Sequence, residues 1–175
     1  MVDCPLDMLL DGLNELTSEL AEAELLKCCG STRWAQSMAG GRPFHSLAEL
    51  LTKGDSVWWS LSEEDWLEAF RAHPKIGEKK AAATQSTQAQ NWSADEQSGT
   101  AGAAVATMKE LADGNLEYER RFGFIYIVCA KEKSSDEMLA ILKGRLENEP
   151  QTELRNAAEE QRKITHLRLE KLLNQ

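Results

Sequence analysis

Three side chains have the chemistry and the local setting to act on a small molecule: His73, Glu96 and Arg168. His73 lies in Ala72-His73-Pro74-Lys75-Ile76-Gly77. Pro74 disfavours helical geometry at the residue before it, and Gly77 frees the backbone to turn. Upstream, Ser62 with Asp65 has the spacing of a helix N-terminal cap. Trp66, Phe70 and His73 then follow at steps of four and three, which predicts one helix face ending in an imidazole. A helix C-terminus favours the imidazolium form. The plainer alternative is a histidine that only closes a helix over the core.

Glu96 belongs to Trp92-Ser93-Ala94-Asp95-Glu96-Gln97. Ser93 and Glu96 have capping-box spacing, which alone would explain both. A helix N-terminus also presents free N–H groups and partial positive charge, suited to an anionic or carbonyl-rich ligand faced by Gln97. Arg168 interrupts an apolar row with Ile164 and Leu172. An arginine on a packing face needs an anion or a route to water. It serves either an internal salt bridge with a nearby glutamate or a fork aimed at a carboxylate or planar carbonyl group.

The elements that position these residues read as helices. Leu6, Leu9, Leu10, Leu13, Leu16 and Leu20 predict one amphipathic helix to about Lys27, stopped before Gly30. A short helix is expected over 31–38, ended by Gly40-Gly41. Arg42-Pro43-Phe44-His45 reads as a turn whose arginine and aromatic either pack or face solvent. Ser46 and Glu49 open another helix, with Gly54-Asp55 a candidate break before Val57-Trp58-Trp59. Residues 78–91 hold no large apolar side chain and read as a surface loop, a candidate lid. A helix from Trp92 is expected to end near Asp113-Gly114. Phe122 to Ala130 is the most apolar run; propensity favours a buried strand, whereas its neighbours are helical. Ser135 is expected to cap a helix ending before Pro150, and the last helix spans about Thr152 to Leu173.

Composition excludes several functions. The 175 residues are 42% hydrophobic and 28% charged, ordinary for a single domain with a core of its own. The net charge of -9, without a dense basic run, argues against nucleic acid or an anionic membrane as partner. No stretch reaches the roughly 18 apolar residues that span a bilayer. Four cysteines show no C-x-x-C spacing, and three histidines make a His-rich metal site improbable on counting alone. The start of the chain reads as no signal peptide and its end as no Ser-Lys-Leu tail, so the expectation is a cytoplasmic protein.

Taken in order, Arg42-Pro43-Phe44, His73-Pro74-Lys75-Ile76-Gly77, Ser93-x-x-Glu96-Gln97, Phe122-Gly123-Phe124 and Lys163-Ile164-x-x-Leu167-Arg168-Leu169 resemble one family. It is that of the 2-oxo-4-hydroxy-4-carboxy-5-ureidoimidazoline (OHCU) decarboxylases of urate degradation. The resemblance runs from about Leu6 to Leu172 and implies a single all-helical domain over 1–175, which overrides the strand reading of 122–130. It also implies a homodimer and a cofactor-free, metal-free removal of CO2 giving (S)-allantoin. On the matching positions it makes His73 the proton donor, with Glu96 hydrogen-bonded to it or to substrate. Ser93 and Gln97 would bind ring and ureido groups, and Arg168 would anchor a carbonyl or carboxylate. Main-chain groups around Pro74 and between Tyr126 and Ala130, Ile127 among them, would complete the pocket. The competing class is a non-catalytic helical module that binds a ureide or docks a partner. A metal-dependent amidohydrolase would need ligands that the sequence lacks.

Overall fold

The structure, a computed structural model, describes residues 5–75, 87–96 and 105–174, without the side chains of 5–9, 94 and 96. Those residues form α-helices joined by turns, with no strand among them. In order they are α1 (Pro5–Glu15), α2 (Ser18–Cys29), α3 (Thr32–Gly40), α4 (Leu47–Ser60), α5 (Glu63–Arg71), α6 (Thr87–Glu96), α7 (Val105–Phe122), α8 (Ser135–Arg145) and α9 (Pro150–Leu172). The all-helical expectation holds. The chain divides into two compact units, one of Met1–Ala69 with Arg162–Gln175, the other of Phe70–Gln161.

In the first unit the expected long N-terminal helix is two helices. Thr17 caps α2, accepting from the Leu20 N–H at 3.4 Å, and this resets the helical phase so that Leu20 is left exposed. Arg42 holds the ends that result. Its Nε donates to Ala39 O at 2.8 Å, and Nη1 donates to Leu13 O at 2.9 Å and Leu16 O at 2.7 Å. One guanidinium therefore satisfies terminal carbonyls around α1 and α3 that would otherwise lack donors. Asn14 grips the Phe44 backbone on both sides, Nδ2 to Phe44 O at 2.7 Å and Phe44 N to Oδ1 at 2.9 Å, and Phe44 is buried. The Arg42–Pro43 peptide is cis. Phe44 thus packs and Arg42 is engaged with backbone carbonyls, while Pro43 between them is exposed.

Ser46 caps α4 as expected, with Glu49 returning to the His45 N–H. Gly54-Asp55 does not break α4. Gly54 O accepts from Trp34 Nε1 at 3.0 Å, and Asp55 bonds Arg162 Nη1 at 3.0 Å and His166 Nε2 at 2.6 Å on α9. The pair is there for helix contact, so the helix continues through it. Trp34, Met38, Leu50, Trp58 and Leu169 fill the core of this unit.

In the second unit α7 packs on α8 around Leu111, Tyr118, Tyr126, Met138 and Leu142. Gly114 does not end its helix. A Cβ there would lie 2.7 Å from Leu142 Cδ2, so glycine admits the α8 side chain and α7 runs on to Phe122. Ser134, not Ser135, caps α8, in a full capping box with Glu137. Pro150 opens α9 at a position where a missing N–H costs nothing.

The segment after α7 is neither strand nor helix. Gly123 takes φ +80°, its N–H closing α7 on Glu119 O at 2.8 Å, and residues 125–130 then run without regular structure while Tyr126 to Ala130 are buried. Buried backbone must be paired. Here side chains do it: Arg145 Nη1 donates to Ile127 O at 2.6 Å, and the Cys129 N–H donates to Glu160 Oε2 at 2.7 Å.

Behind them lies a buried polar network. Glu153, fully buried, accepts from Arg145 Nε at 2.6 Å, from Tyr118 Oη, and from Asn148 Nδ2 at 2.8 Å. The Arg145 guanidinium also lies over the Tyr126 ring at 5.0 Å. Burial opposes the Arg145 charge, but Tyr118, Glu153 and Tyr126 outweigh it and leave its pKa above the ordinary value.

Candidate active site

α5 begins as its sequence suggests: Ser62 Oγ accepts from the Asp65 N–H at 3.4 Å, while Asp65 Oδ2 takes the Ser62 N–H at 3.0 Å. It ends at Arg71, two residues short of His73, because Pro74 removes the helical option at its predecessor. The His73 N–H instead closes a tight turn on Phe70 O at 3.1 Å. The imidazole is thereby carried past the helix end on a short, constrained arm, half-buried with Pro74.

Its Nε2 lies 2.7 Å from Oε1 of Gln161, a residue with no exposed surface on α9. Lys75 Nζ, two residues on, pairs with Glu119 Oε2 at 2.6 Å on α7. Ile76 and Gly77 lie outside the described residues.

Gln161 also links His73 to the irregular segment. Its chain neighbour Glu160 is the residue that holds the Cys129 N–H. One turn of α9 therefore grips both the imidazole and the backbone of 125–130, with Ile127 inside that stretch and its carbonyl already held by Arg145. Phe70 and Phe124, with ring centroids 5.4 Å apart, pack the same region. Gln161 thus holds His73, while its neighbour Glu160 holds the backbone of the segment that includes Ile127.

Ser93 sits differently from expectation. α6 starts at Thr87, so Ser93 is mid-helix and its Oγ donates back to Ala89 O at 2.9 Å, the habit of a serine inside a helix. It caps nothing, and the free N–H groups expected around it are taken up by the helix. It is nevertheless buried. Residues 87–91 are helical, so the loop expectation does not hold for them, and 78–86 lie outside the described residues. Glu96 ends α6, with its side chain outside that description, as is the whole of Gln97.

Arg168 belongs to the first unit and is buried there at 2% exposure, so it does not snorkel to water. Its charge acts on the adjacent Cys28 and Cys29 thiols, lowering their pKa against the larger effect of burial, which pushes Cys29 up to about 12. The Thr165 hydroxyl bonds Cys29. Among the described residues no three His, Cys, Asp or Glu side chains cluster as a metal site would need.

Sequence reasoning passed over Gln161, Glu160 and Arg145. A signal existed for the first. Gln161 precedes Thr165 by four and Arg168 by seven, and all three are buried polar residues of α9 among Ala157, Ala158, Ile164 and Leu169. A polar side chain recurring on an apolar helix face asks for a partner.

Comparison with known proteins adds to this geometry. The profile of the OHCU decarboxylase family matches residues 14–170. The uric acid degradation bifunctional protein TTL of Arabidopsis thaliana is 39% identical over 160 residues, 91% of this chain and 49% of that protein. This chain therefore spans about half the length of that relative. The 2-oxo-4-hydroxy-4-carboxy-5-ureidoimidazoline decarboxylase of Haloferax volcanii is 31% identical over 135 residues, 77% of each chain. A solved OHCU decarboxylase, crystallised in the presence of (S)-allantoin, shares 36% identity with a TM-score of 0.76, covering 91% of this chain and 100% of that one. With a profile match over nearly its whole length and an all-helical fold shared at that TM-score, this chain belongs to the OHCU decarboxylase family.

Proposed function

We propose that this chain decarboxylates OHCU to (S)-allantoin with no cofactor and no metal. The observation that carries the reading is the constrained, half-buried His73, its Nε2 2.7 Å from the buried Gln161, whose chain neighbour Glu160 holds the Cys129 N–H, in a member of this family. The substrate carboxylate leaves a carbon next to a ring C=N bond. The electron pair of the breaking C–C bond spreads into that imine, so the substrate is its own electron sink. What remains for the protein is to orient the carboxylate, stabilise shifting charge and deliver one proton to one face of the former imine carbon, as the hydroxyl-bearing carbon that lost CO2 becomes a carbonyl.

His73 delivers that proton, and Glu96 hydrogen-bonds to it or to the substrate. Arg168 anchors a carbonyl or carboxylate; its burial on a helix supports a role that needs a desolvated fork. Ser93 and Gln97 hold ring and ureido groups. Main-chain groups at Pro74 and Ile127 complete the pocket. We read 1–175 as a single domain that works as a homodimer in the cytoplasm. The reduced, buried thiols Cys28, Cys29 and Cys129 support a reducing compartment.

The test is an assay on freshly generated OHCU with chelator present and no added cofactor, following the circular dichroism of allantoin. Accelerated formation of the (S) enantiomer is expected. Racemic product at the spontaneous rate from folded protein would leave a binding module instead.

A further inference from the structure

We propose that Gln161 is the positioning residue of His73. Its carboxamide oxygen accepts from Nε2–H, fixes the ring plane and keeps a proton on Nε2 in both charge states, so the proton His73 gives up comes from Nδ1. The inference rests on the decarboxylase reading for its chemistry and on the geometry alone for the tautomer. The oxygen of Gln161 lies 2.7 Å from Nε2, and Gln161 has no exposed surface. A buried carboxamide is costly unless bonded, and a residue that only filled space on this face would be apolar like Ala157, Ala158 and Ile164 around it.

The geometry sets the direction of the bond, with Oε1 facing Nε2, and the chemistry agrees with it. A histidine poised to donate is an imidazolium, and both of its nitrogens are then donors. The group facing Nε2 must be an acceptor, which selects the carboxamide oxygen over its NH2. Glu160, the nearest acid along α9, is engaged with the Cys129 N–H, and Lys75 with Glu119, so the residue bonded to Nε2 is the uncharged one. The His73 backbone is fixed by its N–H bond to Phe70 O, and the ring is held at Nε2 by Gln161.

Nitrogen-15 NMR of the full chain with labelled histidine, the His73 signal assigned by its loss in His73→Asn, tests the tautomer. The neutral ring is expected to carry its proton on Nε2, with Nδ1 showing the shift of an unprotonated nitrogen. Gln161→Met should lose that preference and lower kcat on the order of 10- to 100-fold with little change in KM. Gln161→Glu keeps an oxygen at the same reach and should retain the tautomer. A neutral wild-type His73 protonated on Nδ1 would overturn the proposal. So would a folded Gln161→Met with wild-type kcat and an unchanged tautomer. If Gln161→Met does not fold, the wild-type spectrum decides. A wild-type protein that shows the Nε2–H tautomer yet fails to accelerate OHCU loss refutes the decarboxylase reading and leaves the clamp standing.

Discussion

Replacing Glu153 by leucine should be among the most damaging single changes outside the residues assigned to chemistry. Glu153 is fully buried and accepts from Arg145, Tyr118 and Asn148. Leucine there strands a guanidinium that is itself only 9% exposed. Removing one partner of a buried pair costs about 3–5 kcal/mol, because the remaining charge keeps its desolvation penalty without its counter-ion. Against a typical stability of about 5–15 kcal/mol that is a large share. For a chain of this length each kcal/mol shifts Tm by about 2–4 °C, so a loss of roughly 6–20 °C is expected. The double variant Arg145→Met with Glu153→Leu removes the stranded charge. It leaves Ile127 O and the buried Tyr118 Oη short of partners, at about 1–3 kcal/mol each, so it should be destabilised by less than the sum of the two single variants. Urea denaturation of wild type, Arg145→Met, Glu153→Leu and the double variant measures this. Additive losses in the double variant, or a Glu153→Leu protein within about 1 kcal/mol of wild type, would refute the view of Arg145–Glu153 as a coupled unit. Activity offers a second reading. Arg145 also holds Ile127 O, so releasing it should raise KM for OHCU before kcat falls.

Other expectations concern both units. Arg42→Ala leaves the Leu13, Leu16 and Ala39 carbonyls without their shared donor and should cost about 1.5–3 kcal/mol in urea denaturation; Arg42→Lys should recover little, since an ammonium cannot span all three. Burial raises the Cys29 thiol from 9.0 to about 12, and Cys28 further. Between pH 9 and 12 the unfolded chain therefore releases protons that the folded chain retains, and stability falls as pH rises through that window. Cys29→Ala should flatten the fall in urea midpoint, and an unchanged slope would exclude the thiol as its source. Arg168→Met should weaken OHCU binding while leaving Tm level or higher if the charge is buried for function; parallel loss of Tm and activity would point to an internal salt bridge.

Much of the helical plan was legible because it is local. Ser46 with Glu49 and Ser62 with Asp65 announce α4 and α5 through hydrogen bonds spanning three residues, and the structure has both. Pro74 ends α5 by sterics between neighbours, which no distant contact can override. The motif set from Arg42 to Leu169 likewise pointed to the family before any coordinate did. Where sequence reading went astray, a distant partner had the casting vote. Gly114 looked like a stop until Leu142 occupied the space its missing Cβ leaves. Gly54-Asp55 looked like a break until Trp34, Arg162 and His166 bonded to it. Ser93-x-x-Glu96 has capping-box spacing but sits at the end of α6, because six residues ahead of Ser93 join the same helix.

The stretch 122–130 marks the boundary between the two kinds of information most sharply. Its apolar composition determined that it would be buried, since hydrophobic transfer depends on what a side chain is. It could not determine the conformation. Buried backbone demands partners, and any donors and acceptors in the right place will serve. Arg145 and Glu160 supply them from α8 and α9, so no neighbouring strand is needed. The same holds for His73: the sequence by itself determined that an imidazole would stand at a turn after a helix, and only the tertiary structure put Gln161, 88 residues away, against its Nε2.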